Sequence, residues 1–261
     1  MGEYKIYNET TENYEKELIY FKKRHEKAKV FCSRFPNGIN FRKKIVLDIG
    51  CGHGALSFHA LDEGAKYVVG IDINEKVINF ANTILRRDYY KYKDKAKFIP
   101  SDINDLDFSK FDIIISHTAF EHIIDPQRCL NGIEKRLNKK GEVYIGFTGL
   151  YNSPWGDHRR TQVPFQKFFP WAHLCFNKQW IIKNYNSKFP SKPISSIHDL
   201  GLNGLSFSQY ESIFKTSKLK NSYFKVNVAQ NPLVLLLSVF RLIPFLRELL
   251  SFNIYTVLIN Y

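Results

Sequence analysis

The feature that most constrains the fold is a short apolar run with an acid near its end, followed by a loop with glycine at every second position: Ile45-Val46-Leu47-Asp48-Ile49-Gly50-Cys51-Gly52-His53-Gly54. The run is rich in Val, Ile and Leu and does not alternate, which predicts a buried parallel strand. The glycines let the backbone turn tightly and let a ligand approach without meeting Cβ atoms. Ala55 to Leu61 predict a helix whose N-terminal amides would face that ligand. Together these elements predict a site for a nucleotide-type cofactor.

Two cofactor classes use this geometry. The dinucleotide fingerprint G-x-G-x-x-G/A fits the loop, but Asp48 stands two positions before the first glycine and the loop is G-x-G-x-G. It therefore resembles the first motif of the class I S-adenosylmethionine (SAM)-dependent methyltransferases, usually close to LDxGCGxG. The resemblance implies that Asp48 takes the SAM ammonium, directly or through water, and that backbone amides take the carboxylate. The loop residues assigned to the cofactor are Gly50, Cys51, Gly52 and Gly54.

Two further strands follow in the order expected of this family. Residues 67–74 form an apolar run that ends in an acid, and residues 98–103 form another. The first acid, Asp72, lies about 20 residues after the first glycine, the place of a carboxylate that takes both ribose hydroxyls. In the family, the second acid typically receives the adenine amino group. The residues assigned to the cofactor here are Asp72, Ile73, Asp102 and Ile103.

A fourth strand is predicted from Phe111 to His117, and the residues after it contain Glu121 and His122. This segment resembles the FDxIxSxxxxEHI motif of small-molecule methyltransferases of the ubiquinone/menaquinone-biosynthesis type. Residues 137–145 resemble the LKPGG turn into strand five, although the proline is missing. The resemblance adds Ser116 and His117 to the cofactor-binding residues.

These motifs predict an α/β fold: a doubly wound, seven-stranded, mainly parallel sheet of the Rossmann-like class I methyltransferase type. An N-terminal helix is expected from Thr11 to Phe35, and a cap insertion after strand five. We expect a single domain over residues 1–261. Its parts are an N-terminal helical segment (1–40), a SAM-binding core (41–148), the cap (149–205), and a C-terminal helix with strands six and seven (206–261).

The C-terminal part carries several local signals. Ser208 and Glu211 fit a capping box that opens a helix to about Lys218. Residues 223–230 alternate as strand six, and residues 254–259 predict strand seven, antiparallel at the far end of the sheet. The apolar stretch 233–246 is expected to form a helical pair, or an apolar acceptor channel or membrane-surface contact.

Cysteine usage and the N-terminus bear on compartment and metals. The four cysteines show no C-x-x-C spacing, which argues against a zinc ribbon or disulfide framework and favours a reducing, cytoplasmic compartment. We predict no metal ligands. Residues 1–13 contain no apolar h-region, so no secretory leader is expected. No stretch reaches the apolar length needed to span a bilayer.

The net charge of +13 is compatible with nucleic acid, an anionic membrane surface or an acidic substrate. Most basic clusters fit solvated helix faces and helix C-termini. Methyltransferases that act on exocyclic base amines usually carry an Asn/Asp-Pro-Pro-aromatic motif after strand four, where this chain has Ser116 to Ala119. This argues against a nucleic-acid acceptor, although a tRNA acceptor stays an alternative.

Three histidines are candidate catalytic bases: His158 and His173 in the cap, and His122 after strand four. An imidazole titrates near neutral pH and can take a proton from an acceptor hydroxyl. The segments 154–158 and 170–174 resemble an insertion with a GxH…PWxHLLF pattern in uncharacterised bacterial methyltransferases. Each histidine also has a structural alternative, as part of the packed cap or as support for the loop after strand four.

The sequence therefore favours SAM-dependent methyl transfer to the oxygen or nitrogen of a small-molecule acceptor. Alternatives are a nucleic acid such as tRNA, a lipid or quinone acceptor with peripheral membrane contact, and a nicotinamide-dependent dehydrogenase. A SAM-binding scaffold without catalysis is the non-enzymatic alternative. The oligomeric state is left open.

Overall fold

The computed structural model of the protein describes residues 11–107, 110–228 and 232–261. Its strands are β1 (Ile45–Ile49), β2 (Tyr67–Asp72), β3 (Ala96–Pro100), β4 (Phe111–His117), β5 (Leu137–Thr148), β6 (Lys220–Val226) and β7 (Asn253–Ile259). Its helices are α1 (Thr11–Cys32), α2 (Ala55–Asp62), α3 (Glu75–Arg87), α4 (Pro126–Arg136), α5 (Lys178–Lys188), α6 (Phe207–Thr216), α7 (Pro232–Val239) and α8 (Pro244–Leu249). Short 3₁₀ helices cover Tyr90–Tyr92, Phe120–His122, Ala172–Cys175, Ile197–Leu200 and Phe240–Leu242.

The seven strands form one sheet in the order β3-β2-β1-β4-β5-β7-β6. β1 pairs in parallel with both β2 and β4, and β2 pairs in parallel with β3. The strand order reverses at β1, so the carboxyl end of β1 lies at the switch point where open α/β sheets bind ligands. The prediction of a seven-stranded, mainly parallel α/β sheet is confirmed. β7 lies one place in from the edge, which β6 occupies.

Local sequence explains where the helices around the sheet begin. The side chain of Asn74 accepts a hydrogen bond from the Lys76 amide at 3.1 Å and so caps α3. The Asp125 carboxylate accepts from the Arg128 amide at 2.9 Å and so caps α4. Both caps satisfy amides that have no partner within their helix.

The third strand ends earlier than predicted. β3 stops at Pro100, and Asp102 lies in the turn that follows. The Asp102 Oδ1 atom accepts from the backbone amide of Asn104 at 2.8 Å. This local turn competes with extension of the strand.

Two predictions in the C-terminal part are wrong in detail. The capping box is formed by Ser206 and Gln209 instead of Ser208 and Glu211, because the Ser208 amide donates to the Glu248 carboxylate at 2.9 Å. Strand six covers Lys220–Val226, and the next residue, Asn227, has φ 61°, which ends the extended backbone. Positions 229 and 230 of the predicted strand lie outside the described residues.

The chain divides into two compact units. One comprises the described residues of Met1–His117 together with Asn131–Tyr144 and Val257–Tyr261, and the other comprises Thr118–Leu130 and the described residues of Ile145–Thr256. Aromatic rings fill both cores: Phe58 packs on Phe98 in the first unit, and Phe147 on Tyr210 in the second.

Within the described part of the chain, every helix is too short or too polar to cross a membrane. The expectation about a secretory leader concerns residues 1–13, and residues 1–10 lie outside the described part.

Candidate active site

The glycine loop after β1 adopts a backbone that only glycine takes easily. Gly50, Gly52 and Gly54 have φ of 69°, 53° and 81°. A Cβ built on Gly52 would meet nothing within 4 Å, so this glycine leaves the loop open towards a ligand. A Cβ on Gly54 would lie 2.9 Å from the Phe98 ring, so that glycine permits close packing of the loop on β3.

The loop amides are already paired with protein acceptors. The amides of Gly50 and Cys51 donate to the carbonyl of Ile71, and the amide of Gly54 donates to the carbonyl of Cys51. The Gly52 amide donates to the Asp72 carboxylate. These bonds hold the loop in place, and the assignment of the SAM carboxylate to backbone amides stays a prediction.

The carboxylate of Asp72 is held in a fixed plane at the end of β2. Its Oδ2 accepts from the Gly52 amide at 3.0 Å and its Oδ1 accepts from the Asn74 amide at 2.9 Å. Each carboxylate oxygen has a further acceptor position, so two adjacent hydroxyls can bind the same group. The next residue, Ile73, is 83% exposed and offers an apolar surface beside this carboxylate.

Asp48 is a buried carboxyl group on β1. It is 1% exposed and accepts a hydrogen bond from the Ser57 hydroxyl at 2.7 Å. Burial raises its pKa to about 7, and the nearby charge of Asp72 also raises it, whereas the Ser57 bond and the Arg24 charge act in the opposite direction. A buried carboxyl of this kind becomes a strong site for a cation once it ionises.

A narrow cavity of about 30 Å³ lies at the carboxyl end of β1, with room for roughly two waters. Its walls are formed by Arg24, Ala28, Asp48, Gly50, Cys51, Ala55, Leu56 and His117. α1 thus supplies a guanidinium that the sequence did not predict for this site, since Arg24 belongs to an ordinary polar stretch of that helix. Cys51 is buried and its pKa is raised, so its thiol stays protonated there.

Ser116 and His117 both lie at the end of β4. The buried Ser116 hydroxyl donates to the Ile49 carbonyl at 3.0 Å and links β4 to β1. The His117 ring stacks on Phe31 with centroids 4.3 Å apart. Burial lowers the pKa of His117 to about 3, helped by the charges of Arg24 and Arg34, so this histidine is neutral at physiological pH.

Asp102 and Ile103 follow β3. Besides the Asn104 amide, the Asn104 side chain donates to Asp102 Oδ1 at 2.8 Å. The second carboxylate oxygen is the one that can accept from an adenine amino group. Ile103 is 3% exposed and packs beneath this turn.

His122 and His158 come together in the second unit with the buried Glu121. One ligand-type atom from each of the three side chains lies within 4.8 Å of the other two. The His122 Nδ1 atom lies 2.6 Å from the Gly201 carbonyl, to which it must donate. Burial lowers the pKa of His158 to about 4, and the charges of His122 and Arg160 lower it further. His158 is therefore a neutral imidazole at pH 7.

His173 has a different environment. It is 1% exposed, its Nε2 donates to the Tyr151 carbonyl at 2.6 Å, and its Nδ1 lies 3.7 Å from the Asp157 carboxylate. Asp157 is fully buried and also accepts from the side chains of Thr161 and Gln166. This geometry favours a structural role for His173, and its catalytic role stays a prediction.

One further residue, Asn203, was missed by sequence reasoning. Its amide side chain donates to the carbonyls of Phe120 and Ile123 at 2.8 and 2.9 Å, and its backbone amide donates to the Glu121 carbonyl at 3.2 Å. These bonds fix the 3₁₀ turn that carries Glu121 and His122. A single asparagine about 80 positions away gives no sequence signal for such a role.

Comparison with known proteins agrees with this geometry. Residues 40–162 match a family model described as a methyltransferase domain. Over 131 residues the chain is 41% identical to protein arginine N-methyltransferase 1 of Saccharomyces cerevisiae, covering 46% of this chain and 36% of the yeast protein. It is 28% identical over 145 residues to the probable histone-arginine methyltransferase CARMER of Drosophila melanogaster, covering 54% of this chain and 27% of that protein. The chain thus spans only about a quarter to a third of these relatives.

Solved structures share the fold at low sequence identity. Geranyl diphosphate C-methyltransferase from Streptomyces coelicolor A3(2) has a TM-score of 0.57 and 13% identity, covering 90% of this chain and 78% of that chain. A SAM-dependent methyltransferase from Mesorhizobium loti has a TM-score of 0.55 and 13% identity, covering 88% of this chain and 96% of that chain. Residues 40–162 thus match a methyltransferase domain, and the sheet has the fold of class I SAM-dependent methyltransferases. The ubiquinone/menaquinone type stays a prediction.

Proposed function

We propose that the protein transfers the methyl group of SAM to an oxygen or nitrogen of a small-molecule acceptor, as methyltransferases of the ubiquinone/menaquinone-biosynthesis type do. The observation that carries this proposal is the Asp72 carboxylate, which the Gly52 and Asn74 amides hold at the end of β2 beside an open glycine loop. Methyl transfer is an in-line displacement at the sulfonium, so the protein contributes mainly position and orientation.

The residues at the carboxyl ends of β1, β2 and β3 each bind a different part of the cofactor. Asp72 takes the ribose hydroxyls, the exposed Ile73 covers a face of the adenine ring, and the adenine amino group meets Asp102, whose turn the buried Ile103 supports. The ionised Asp48 pairs with the SAM ammonium, and Arg24 pairs with the SAM carboxylate, since the loop amides have protein acceptors. The cavity beside Asp48 is too small for the methionine end of SAM, so side chains of α1 must move when SAM binds.

On the acceptor side, we assign proton removal to the pair His122 and His158. The Gly201 carbonyl accepts from His122 Nδ1, which leaves the His122 Nε2 lone pair to accept a proton, and the His158 ring lies beside it. His173 is the weaker candidate because both of its ring nitrogens face protein acceptors.

The positive net charge of the protein favours a neutral or acidic small molecule over protein arginine, which the names of the curated relatives give as their acceptor. The chain carries a net charge of +13, which repels an arginine-rich protein segment. A nucleic acid would tolerate this charge. However, the segment after β4 lacks the Asn/Asp-Pro-Pro-aromatic motif of base-amine methyltransferases, which supports the small-molecule acceptor.

The test is a partition assay with methyl-labelled SAM. The protein is incubated with a low-molecular-weight cell extract, tRNA, DNA or an arginine-rich peptide, and label is counted in each acceptor. We expect label in the small-molecule fraction, loss of transfer in Asp72→Ala, and full transfer in the exposed control Asp105→Asn. Label in tRNA, DNA or peptide alone overturns the small-molecule proposal. SAM binding without transfer to any fraction favours the scaffold alternative.

A second candidate acceptor, a lipid or quinone, is favoured by an apolar cavity in the second unit. The cavity measures about 380 Å³ and is lined by Phe169, Trp171, Leu174, Cys175, Leu246, Leu249 and Leu250. Nearby in the sequence, Leu242 and Phe245 are 85% and 71% exposed. An apolar tail in such a cavity, with the basic protein on an anionic surface, fits a lipid-bound acceptor.

Liposome co-sedimentation tests this second candidate. We expect wild type to pellet with vesicles that contain anionic lipid, and the double variant Leu242→Asp/Phe245→Asp to stay in the supernatant. Side chains 232–235 of the predicted apolar stretch lie outside the described part of the chain, so the variants use Leu242 and Phe245. Absence of pelleting, together with methylation of a water-soluble acceptor, rules out the lipid acceptor.

A further inference from the structure

The cluster of Glu121, His122 and His158 has the composition of a metal site. One ligand-type atom from each side chain lies within 4.8 Å of the other two, and the imidazole centroids are 5.5 Å apart. Two imidazoles and one carboxylate form the donor set that first-row transition metals accept while keeping open positions. We propose that this cluster binds one divalent transition-metal ion of the Mn²⁺, Fe²⁺, Co²⁺ or Zn²⁺ class.

The orientation of His122 supports this proposal. Because Nδ1 donates to the Gly201 carbonyl at 2.6 Å, the proton is on Nδ1 and the lone pair is on Nε2. A histidine that binds metal through one nitrogen and donates from the other to a carbonyl or carboxylate is the usual arrangement in metal sites. The same Gly201 carbonyl accepts from Arg160 at 3.1 Å, which further fixes its position.

His158 lies in a tightly turned loop in which Trp155 and Arg159 also have positive φ. Its φ is 51°, in the left-handed region, although it is not a glycine. Its ring packs directly on Gly149, where a Cβ would lie 2.2 Å from the His158 Nε2 atom.

Glu121 supplies the carboxyl oxygen of the cluster. It is 3% exposed. Asn203 makes three hydrogen bonds to the turn that carries Glu121 and His122. These hydrogen bonds hold the turn, and with it the two metal-binding side chains, in a fixed orientation before an ion binds.

The donor set also indicates which ions are excluded. Mg²⁺ and Ca²⁺ prefer sites made entirely of oxygen ligands, whereas two imidazoles favour softer ions. This inference replaces the sequence-based prediction of no metal ligands, which considered only cysteine spacing. An imidazole whose lone pair binds an ion cannot also accept a proton, so a bound ion would take over the role proposed above for His122 and His158. Resting on the proposed function, the ion would act as a Lewis acid that lowers the pKa of an acceptor hydroxyl.

Metal binding is tested without SAM and without an acceptor. The full chain is stripped with a chelator, and Co²⁺ and Mn²⁺ binding is followed by calorimetry, by the visible absorption of Co²⁺, and by elemental analysis after dialysis. We expect one equivalent of ion per chain, and at least tenfold weaker binding in Glu121→Gln and in His158→Ala. His198→Ala, which removes an exposed imidazole of the same unit, should bind as wild type does.

Two controls separate a lost ligand from a lost fold. The variants must keep wild-type SAM affinity and melting temperature, and Gly149→Ala, which displaces the His158 ring without removing it, should weaken ion binding as well. The inference is overturned if no ion binds with defined stoichiometry, or if Glu121→Gln and His158→Ala bind it as wild type does. Stoichiometric ion binding in a protein that methylates no small molecule would contradict the proposed function alone.

Discussion

Replacing Asp48 by asparagine should stabilise the free protein and weaken SAM binding at the same time. Burial raises the Asp48 pKa from 3.8 to about 7, a difference of about 3 pH units, worth at most about 4 kcal/mol at 1.36 kcal/mol per unit. The folded protein holds this proton more tightly than the unfolded chain. Its contribution to the free energy of unfolding is therefore fully present below the unfolded pKa and is lost as pH rises through about 7.

Asparagine carries no charge to bury and can still accept the Ser57 hydroxyl bond. At pH 8 we expect Asp48→Asn to raise the free energy of unfolding by about 1–4 kcal/mol. The melting temperature should rise by about 2–4 °C per kcal/mol. At pH 5 the folded protein keeps Asp48 protonated while the unfolded chain has released that proton, so the advantage should fall to less than half; it should largely vanish only below about pH 4.

Lowering the pH should weaken SAM binding, although it increases the contribution of Asp48 to the free energy of unfolding. Only the ionised Asp48 pairs with the SAM ammonium, and with a pKa of about 7 its ionised fraction is about 20-fold smaller at pH 5.5 than at pH 7.5. Calorimetry on wild type should show a Kd weaker by about that factor at pH 5.5, and Asp48→Asn should show weak, nearly pH-independent binding. An unchanged melting temperature at pH 8, or a SAM affinity in Asp48→Asn equal to that of wild type, would refute this account of Asp48.

Three other substitutions test the remaining parts of the site. Asp72→Ala should lose roughly 2–4 kcal/mol of SAM binding, a factor of about 30–1,000 in Kd by calorimetry, because it removes a charge-assisted contact to both ribose hydroxyls. The control Asp105→Asn should keep its Kd for SAM within threefold of wild type, and an equally small change in Asp72→Ala would contradict the ribose assignment. Gly149→Ala should reduce turnover at least tenfold with unchanged SAM affinity, because the new Cβ would lie 2.2 Å from His158 Nε2 and displace that ring. A turnover equal to that of wild type would contradict a role of His158 in the reaction. His173→Ala should lower the free energy of unfolding by about 1–3 kcal/mol, measured with urea, because it leaves the Tyr151 carbonyl without its donor and removes a buried ring. A loss of turnover without loss of stability would instead make His173 the catalytic base.

Much of the parallel sheet could be predicted from the sequence. β1 and β4 have the predicted bounds. Each is a continuous apolar run that must be buried on both faces, so the pattern itself marks where the strand begins and ends. The positions of Gly52 and Asp72 follow from the same logic, since carboxyl ends of neighbouring parallel strands meet at one edge of the sheet. Here local pattern and tertiary structure agree.

The predictions that fail depend on partners far away in the chain. Both Ser206 and Ser208 fit a capping box by spacing, and the contact of Ser208 with Glu248 decides between them. Arg24 reaches the Asp48 cavity from a helix that carries no cofactor motif. The approach of His158 to Glu121 likewise depends on how residues 149–158 fold back, which no periodicity in the sequence records.

Methyl transfer to a small molecule is measured by mass spectrometry of a low-molecular-weight extract incubated with the protein and deuterated-methyl SAM. We expect a small-molecule product that carries one deuterated methyl group, forms with wild type and with Asp105→Asn, and is absent with Asp72→Ala. Label found only in macromolecules, or a product that forms equally with Asp72→Ala, would contradict this expectation.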